Sequence, residues 1–224
     1  MAVRAFLFDF DGLILDTETA SRAGWEWLYR QHGHELPPEL WATLVGTHGG
    51  WDPMAHLEEL VGGPLEREAL NERRVAHELS LIEAEELRPG ISDYLAAAER
   101  LGLKRAIVST STRRWIDMHL SRLEQAVDWD AIVTAELDVS RAKPRPTLYL
   151  EALDLLGLAA GEAVAFEDSP NGIRAAKAAG IFVVAVPNTV TRDLGLDEAD
   201  LVLDSLAELP PDELLARLDG TPGR

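Results

Sequence analysis

Two rhythms of apolar and polar positions run along the chain. Short apolar stretches rich in Val, Ile, Leu and Phe occur at residues 3–8, 105–109, 131–134, 163–166, 181–186 and 201–203, each bounded by polar or turn-forming residues. Runs of this length without alternation predict strands buried on both faces, as in a parallel sheet. Between them lie longer stretches with helical spacing. Residues 91–101 follow Pro89-Gly90, 113–123 follow a Ser/Thr cluster, 146–156 open on Pro146 and stop at Gly157, and 173–179 stop at Gly180. A glycine just past a helical run supplies the left-handed residue that closes a helix. The alternation predicts an α/β fold with a doubly wound, Rossmann-like parallel sheet.

One stretch breaks the alternation. From 17 to 86 only helical patterns occur, at 20–31, 38–44, 53–61 and 65–85, with Asp52-Pro53 offering a cap followed by a first-turn proline. About seventy helical residues inserted after the first strand predict a second, all-helical domain over 17–86. The α/β domain then comprises 1–16 and 87–224. Residues 46–51 read as a flexible loop inside the helical part, and 219–224 as a frayed tail. Internal repeats and low-complexity tracts are not found.

Composition narrows the partners. A chain of 224 residues, 46% hydrophobic and 27% charged, is ordinary for a globular protein and long enough to fold without a crosslink. Lys and Arg number 21 against 39 Asp and Glu, a net charge of −18. Such a surface repels phosphate backbones and anionic lipid heads, so neither nucleic acid nor a membrane is expected as a partner. With no cysteine, disulfides, zinc–thiolate sites and thiol nucleophiles are excluded. The first apolar run meets Asp9 too soon for a signal core, and no run reaches membrane length. A cytoplasmic monomer or weak dimer is expected.

The chemistry begins at Phe8-Asp9-Phe10-Asp11-Gly12, where a strand ends in two carboxylates and a glycine lets the backbone turn. Two carboxylates this close repel unless a cation or a shared proton relieves them, and Mg²⁺, which takes oxygen ligands, suits that need. A second acidic pair, Glu167-Asp168, also follows an apolar run. Parallel strands bring their carboxyl ends to one edge, where ligands bind in open α/β sheets. A solvated acidic turn, or an acid at a helix start, explains either pair alone better than both together. Two further strand ends carry groups of the opposite kind. Ser109-Thr110-Ser111-Thr112 sets four hydroxyls at a helix start, suited to a phosphate oxyanion or to plain capping. Lys143, one of only three lysines, stands in a Pro-framed loop before another helix, either as a phosphate-reaching point charge or as a surface side chain.

Taken in order, Asp9-Phe10-Asp11-Gly12, Ser109, Lys143-Pro144 and Glu167-Asp168-Ser169 resemble the haloacid dehalogenase-like hydrolase superfamily, and most of all its helical-cap branch of small phosphatases and β-phosphoglucomutase-like proteins. The resemblance implies that Asp9 is the nucleophile, forming an aspartyl-phosphate, and that Asp11 is the general acid and base. It implies Mg²⁺ held by Asp9, the carbonyl of Asp11 and Asp168, with Glu167 nearby, and phosphoryl oxygens bound by Ser109 and Lys143, with Gly12 and Thr110 beside them. The segment 17–86 is then a cap, hinged near 16–19 and 87–90.

Departures bear on substrate more than on reaction. Asp11 argues for phosphoryl transfer rather than dehalogenation. Ser21 stands where the mutase has a cap histidine, and Gly49 where sugar-phosphate relatives often carry arginine. Thr147 stands where the family usually has Asp. His48, Trp51 and Arg74 remain candidate substrate contacts, each with an alternative as a surface or cap-core residue. The expected activity is hydrolysis of a small phosphorylated metabolite, with sugar and polyol phosphates as the candidate class. A phosphoglucomutase-type isomerase and a catalytically idle binding module are the alternatives.

Overall fold

The computed structural model describes residues 2–41, 44, 51–123 and 128–219. Every predicted apolar run contains a strand: β1 (Ala5–Phe8), β2 (Lys104–Ser109), β3 (Ala131–Thr134), β4 (Ala163–Glu167), β5 (Phe182–Ala185) and β6 (Leu201–Val202). They form one sheet in the order β3-β2-β1-β4-β5-β6, with all pairings parallel. From β1 the chain winds outward first through β2 and β3, then in the other direction through β4 to β6. The reversal falls beside the carboxyl ends of β1 and β4, the crevice where ligands bind in sheets of this kind.

Between β1 and β2 the described residues form helices only: α1 (Thr17–Gln31), α2 (Pro38–Trp41), α3 (Pro53–Val61), α4 (Arg67–Ile82) and α5 (Ile91–Leu101). The first four gather a separate apolar cluster in which Leu28, Tyr29, Trp41, Met54, Leu57 and Leu70 are buried. Tyr29 donates its hydroxyl to the Pro53 carbonyl at 2.7 Å, so the polar tip of this buried ring is satisfied. Beyond β2 come α6 (Arg113–Arg122), α7 (Thr147–Leu156), α8 (Pro170–Ala178) and α9 (Pro211–Asp219).

The sheet is covered on both faces. Leu7, Val108, Val133, Ala165 and Val183 pack under α7 and α8, whereas Phe6, Phe8, Ile107, Phe166 and Val184 pack with Tyr94 of α5 and Leu214 of α9. Adjacent residues of β1 thus serve opposite cores, as a two-residue period requires. Phe8 stacks on Phe166 at 4.9 Å, tying β1 to β4 directly beneath the acidic strand ends.

Helix starts differ from the expected boundaries where a cap was overlooked. α8 begins at Pro170 rather than 173, because Ser169 Oγ accepts the Gly172 N–H at 3.2 Å and Pro170 fits the first turn. α1 begins at Thr17 rather than 20, with Asp16 accepting from Thr19 N. α4 is shorter than the expected 65–85, and α9 was not anticipated. Loop residues 46–50 and tail residues 220–224 lie outside the described residues. Among the described residues no helix is long and apolar enough to cross a membrane.

Candidate active site

Asp9 directly follows β1, and its N–H continues the strand pairing by donating to the Phe166 carbonyl at 3.0 Å. The backbone then breaks at Gly12, which has a φ of +86°. A Cβ there would lie 2.3 Å from Asp168 Oδ2, so only glycine meets both the conformation and the space. β4 supplies the other pair: Glu167 is its last residue, one step beyond the Phe8–Phe166 rung as Asp9 is on β1, and Asp168 follows it. One oxygen each from Asp9, Glu167 and Asp168 lies within 4.8 Å of the others, and all three residues are buried.

Lys143 supplies the charge of opposite sign. Its Nζ donates to Asp9 Oδ1 and lies 2.6 Å from Glu167 Oε1. Tyr149 of α7 donates its hydroxyl to the same Glu167 oxygen at 2.5 Å. Glu167 Oε2 has no hydrogen-bond partner among the described residues. It presses so closely on α8 that a Cβ at Gly172 would sit 1.8 Å away. Asn188, just beyond β5, donates to Asp168 Oδ2 at 2.8 Å. The Arg88 guanidinium donates to the carbonyls of Gly12, Val186 and Pro187, pinning the Gly12 turn to the end of β5.

Charge is unbalanced here. Burial pushes the Asp9 carboxyl up to about 8; Lys143 opposes that rise, and Glu167 and Asp11 add to it. Asp168 is raised well above the usual range by burial, then by Asp9 and Glu167. Burial alone would lower the Lys143 ammonium, yet Asp9 and Glu167 outweigh it and hold its pKa above the ordinary value. Three buried carboxylates that bring one oxygen each within 4.8 Å of the others, against one lysine, fit a hard divalent cation with oxygen ligands.

Asp11 has a different setting. Its Oδ1 accepts from Thr17 Oγ1 at 2.8 Å and from the Trp115 indole at 2.7 Å. Its Oδ2 accepts from Ser111 Oγ at 2.5 Å and Ser109 Oγ at 3.3 Å. Three chain regions (the start of α1, the β2–α6 turn and the first turn of α6) therefore converge on one carboxylate. Beside it Glu18 is raised to about 8, by removal from water and then by Asp11 and Asp9.

These groups open onto a cleft of about 320 Å³ lined by Asp9, Asp11, Ser109, Thr110, Lys143 and Asp168 from the α/β side. Six of the residues singled out from sequence thus share one cavity, with Gly12 and Glu167 packed immediately behind it. Trp51 lies elsewhere, packed on the helical cluster with His56 at 5.3 Å. Arg74 does not line the cleft either; its guanidinium is held by Glu78 and lies over Trp25. His48 lies outside the described residues. Trp115, Asn188, Arg88 and Tyr149 escaped sequence reasoning, since each reaches the site from a distant stretch with no motif to mark it. Ser111 stood inside the Ser109–Thr112 hydroxyl cluster, which was its signal, whereas Thr17 stood only at the start of the helical segment.

Fold and cleft define a Rossmann-like α/β protein with an acidic, lysine-bearing site at its topological switch point. A family model for haloacid dehalogenase-like hydrolases matches residues 3–180, and the chain belongs to that family. It is 42% identical over 217 residues to the YhcW protein of Bacillus subtilis, covering 97% of both chains. Against hexitol phosphatase A of Escherichia coli it is 33% identical over 215 residues, covering 93% of this chain and 94% of the relative. The crystal structure of CbbY from Rhodobacter sphaeroides in complex with phosphate superposes with a TM-score of 0.70 at 31% identity, covering 92% of this chain and 96% of that one. Phosphatases thus stand among its similar relatives, and this chain is a hydrolase of the same family.

Proposed function

We propose that the protein is a Mg²⁺-dependent phosphatase that hydrolyses a small phosphorylated metabolite of sugar or polyol type through an aspartyl-phosphate. The observation that carries this reading is the convergence of Asp9, Glu167 and Asp168 on one point beside Lys143, at the floor of a cleft that also holds Asp11. Asp9, the Asp11 carbonyl and Asp168 would hold the ion, with Glu167 behind them. When bound, it would neutralise the carboxylates and the phosphoryl oxygens and so permit one anion to approach another.

This chain's own residues account for the rest. An Asp9 oxygen attacks phosphorus, and the ester P–O bond breaks as Asp11 gives its proton to the leaving oxygen. Asp11 then takes a proton from water, which attacks phosphorus, breaks the bond to Asp9 and releases phosphate. Lys143 and the Ser109–Thr110 turn offer charge and hydrogen bonds to the phosphoryl oxygens. Thr17, Ser111 and Trp115 keep the Asp11 carboxylate facing the cleft.

The helices of 17–86 act in this reading as a cap that closes the cleft, hinged at 16–19 and 87–90. A cytoplasmic site of action and a monomeric or weakly dimeric state complete it, in keeping with the acidic, cysteine-free composition. The isomerase alternative has less support, since Ser21 lines the cleft where the mutase carries histidine. An idle module has no use for four buried charges at one strand edge.

Hydrolysis of an aryl phosphate tests the proposal. Turnover is expected with Mg²⁺, loss on chelation, and a fall on the order of a thousandfold or more in Asp9→Asn. Activity that survives Asp9→Asn removes the mechanism.

A further inference from the structure

The turn after β5 carries a buried amide that no step of the proposed reaction uses. Asn188 is 4% exposed, and its polar groups all have partners. Its backbone N–H donates to Thr191 Oγ1 at 3.0 Å, and its carbonyl accepts from Arg192 N at 3.1 Å. Its side-chain Oδ1 accepts from the N–H groups of Val190 and Thr191 at 2.8 and 3.0 Å. Those two donors decide which way the amide faces. Turned over, its NH₂ would meet two N–H groups and its oxygen would meet a carboxylate. Nδ2 therefore points at Asp168 Oδ2, 2.8 Å away, with the Gly12 carbonyl at 3.4 Å.

The turn is also held from both sides. Arg88 donates to the carbonyls of Val186 and Pro187 just before it. Beyond it, Val190 and Leu194 pack on the apolar cluster of the helical segment, and Thr189 Oγ1 lies 3.2 Å from Thr19 Oγ1. Closing such a turn requires only an acceptor for the N–H groups two and three residues on, which Ser or Asp also supplies. The donor half of the amide is what asparagine adds, and here it faces Asp168.

We infer that Asn188 is a positioning residue that fixes the Asp168 carboxylate for the divalent cation. The inference rests on the metal-dependent reading and adds to it a residue that acts on the ion only through Asp168. With Oδ2 bonded to a fixed amide and lying against the Gly12 backbone, the carboxylate is oriented before the ion arrives. Hydrogen-bond partners behind a metal ligand are worth roughly ten- to a hundredfold in metal affinity or activity.

The test is titration of chelator-treated protein with Mg²⁺, read as the rise in urea midpoint, for the unaltered chain, Asn188→Ser and Thr191→Val. Asn188→Ser keeps an oxygen for the N–H groups of the turn but is too short to reach Asp168. Thr191→Val removes the hydroxyl that supports the turn and leaves the amide in place. Each rise is taken within one variant, so a lower starting stability does not distort it. Asn188→Ser is expected to need roughly tenfold more Mg²⁺ for the same rise, whereas Thr191→Val starts lower yet responds at the concentration that suffices for the unaltered chain. With an aryl phosphate, Asn188→Ser should raise the Mg²⁺ concentration for half-maximal turnover by a similar factor, while KM for the ester at saturating Mg²⁺ stays close to that of the unaltered chain. An unchanged Mg²⁺ response in Asn188→Ser overturns the inference, as does an equal loss in Thr191→Val, and Mg²⁺-dependent turnover by the unaltered chain then leaves the phosphatase reading standing. Absence of any Mg²⁺ response in the unaltered chain overturns the metal reading and the inference together.

Discussion

Asp9, Asp168 and Glu18 all take up protons more readily in the folded chain than in the unfolded one. For Asp9 the unfolded carboxyl titrates near 3.8 and the folded one near about 8. Between those values the folded state binds more protons, so these groups make stability fall as pH rises through that window. The metal-free protein is therefore expected to lose stability from about pH 6 to about pH 8, and Asp9→Asn to lose it less steeply. Urea midpoints of chelator-treated samples check both, and at the upper pH Mg²⁺ should restore the midpoint by binding the folded state alone. A second expectation concerns Gly172, where a methyl group has no room beside Glu167. Gly172→Ala should cost about 1–3 kcal/mol, read as a lower urea midpoint at unchanged slope. At this scale the acidic residues and Lys143 were legible, because each stands at the end of an apolar run or before a helix. Gly172 was not: its need for a missing side chain comes from Glu167, which folding brings against the helix.

Among elements, the first turn of α6 does more than cap itself. Thr112 accepts from Trp115 N at 3.3 Å and so sets the angle from which the Trp115 indole reaches Asp11. Trp115→Phe keeps the ring packing but removes that donor. It is expected to lower kcat up to about tenfold with little change in KM, the size of one lost hydrogen bond to a charged group, as steady-state kinetics with an aryl phosphate would show. Strands were legible as elements because a parallel sheet buries both faces and leaves an unbroken apolar signature. Helix starts were less so: Asp16 before α1 and Ser169-Pro170 before α8 carry the signal in one or two residues that no apolar periodicity marks. The Trp115–Asp11 contact spans 104 residues of chain, a distance across which periodicity says nothing.

Across the whole molecule, the two walls of the cleft have divided the labour: the sheet edge holds the lysine and the metal-type carboxylates, and the helical side holds acids and hydroxyls with its arginines turned to other partners. The order of the sheet also has a consequence for how the protein is made. β1, the strand that leads into Asp9, pairs with β2 at residues 104–107 and with β4 at 163–166, so both neighbours are synthesised long after it. Until then Phe6, Phe8 and Leu7 have no sheet to cover them, and pairings between such distant stretches form slowly. A fragment ending before residue 163 is expected to lack a cooperative thermal transition by circular dichroism and to bind a hydrophobic dye. Nascent chains therefore pass through a prolonged aggregation-prone interval, and the ribosome must have delivered nearly three-quarters of the polypeptide before the nucleophile has both its flanking strands.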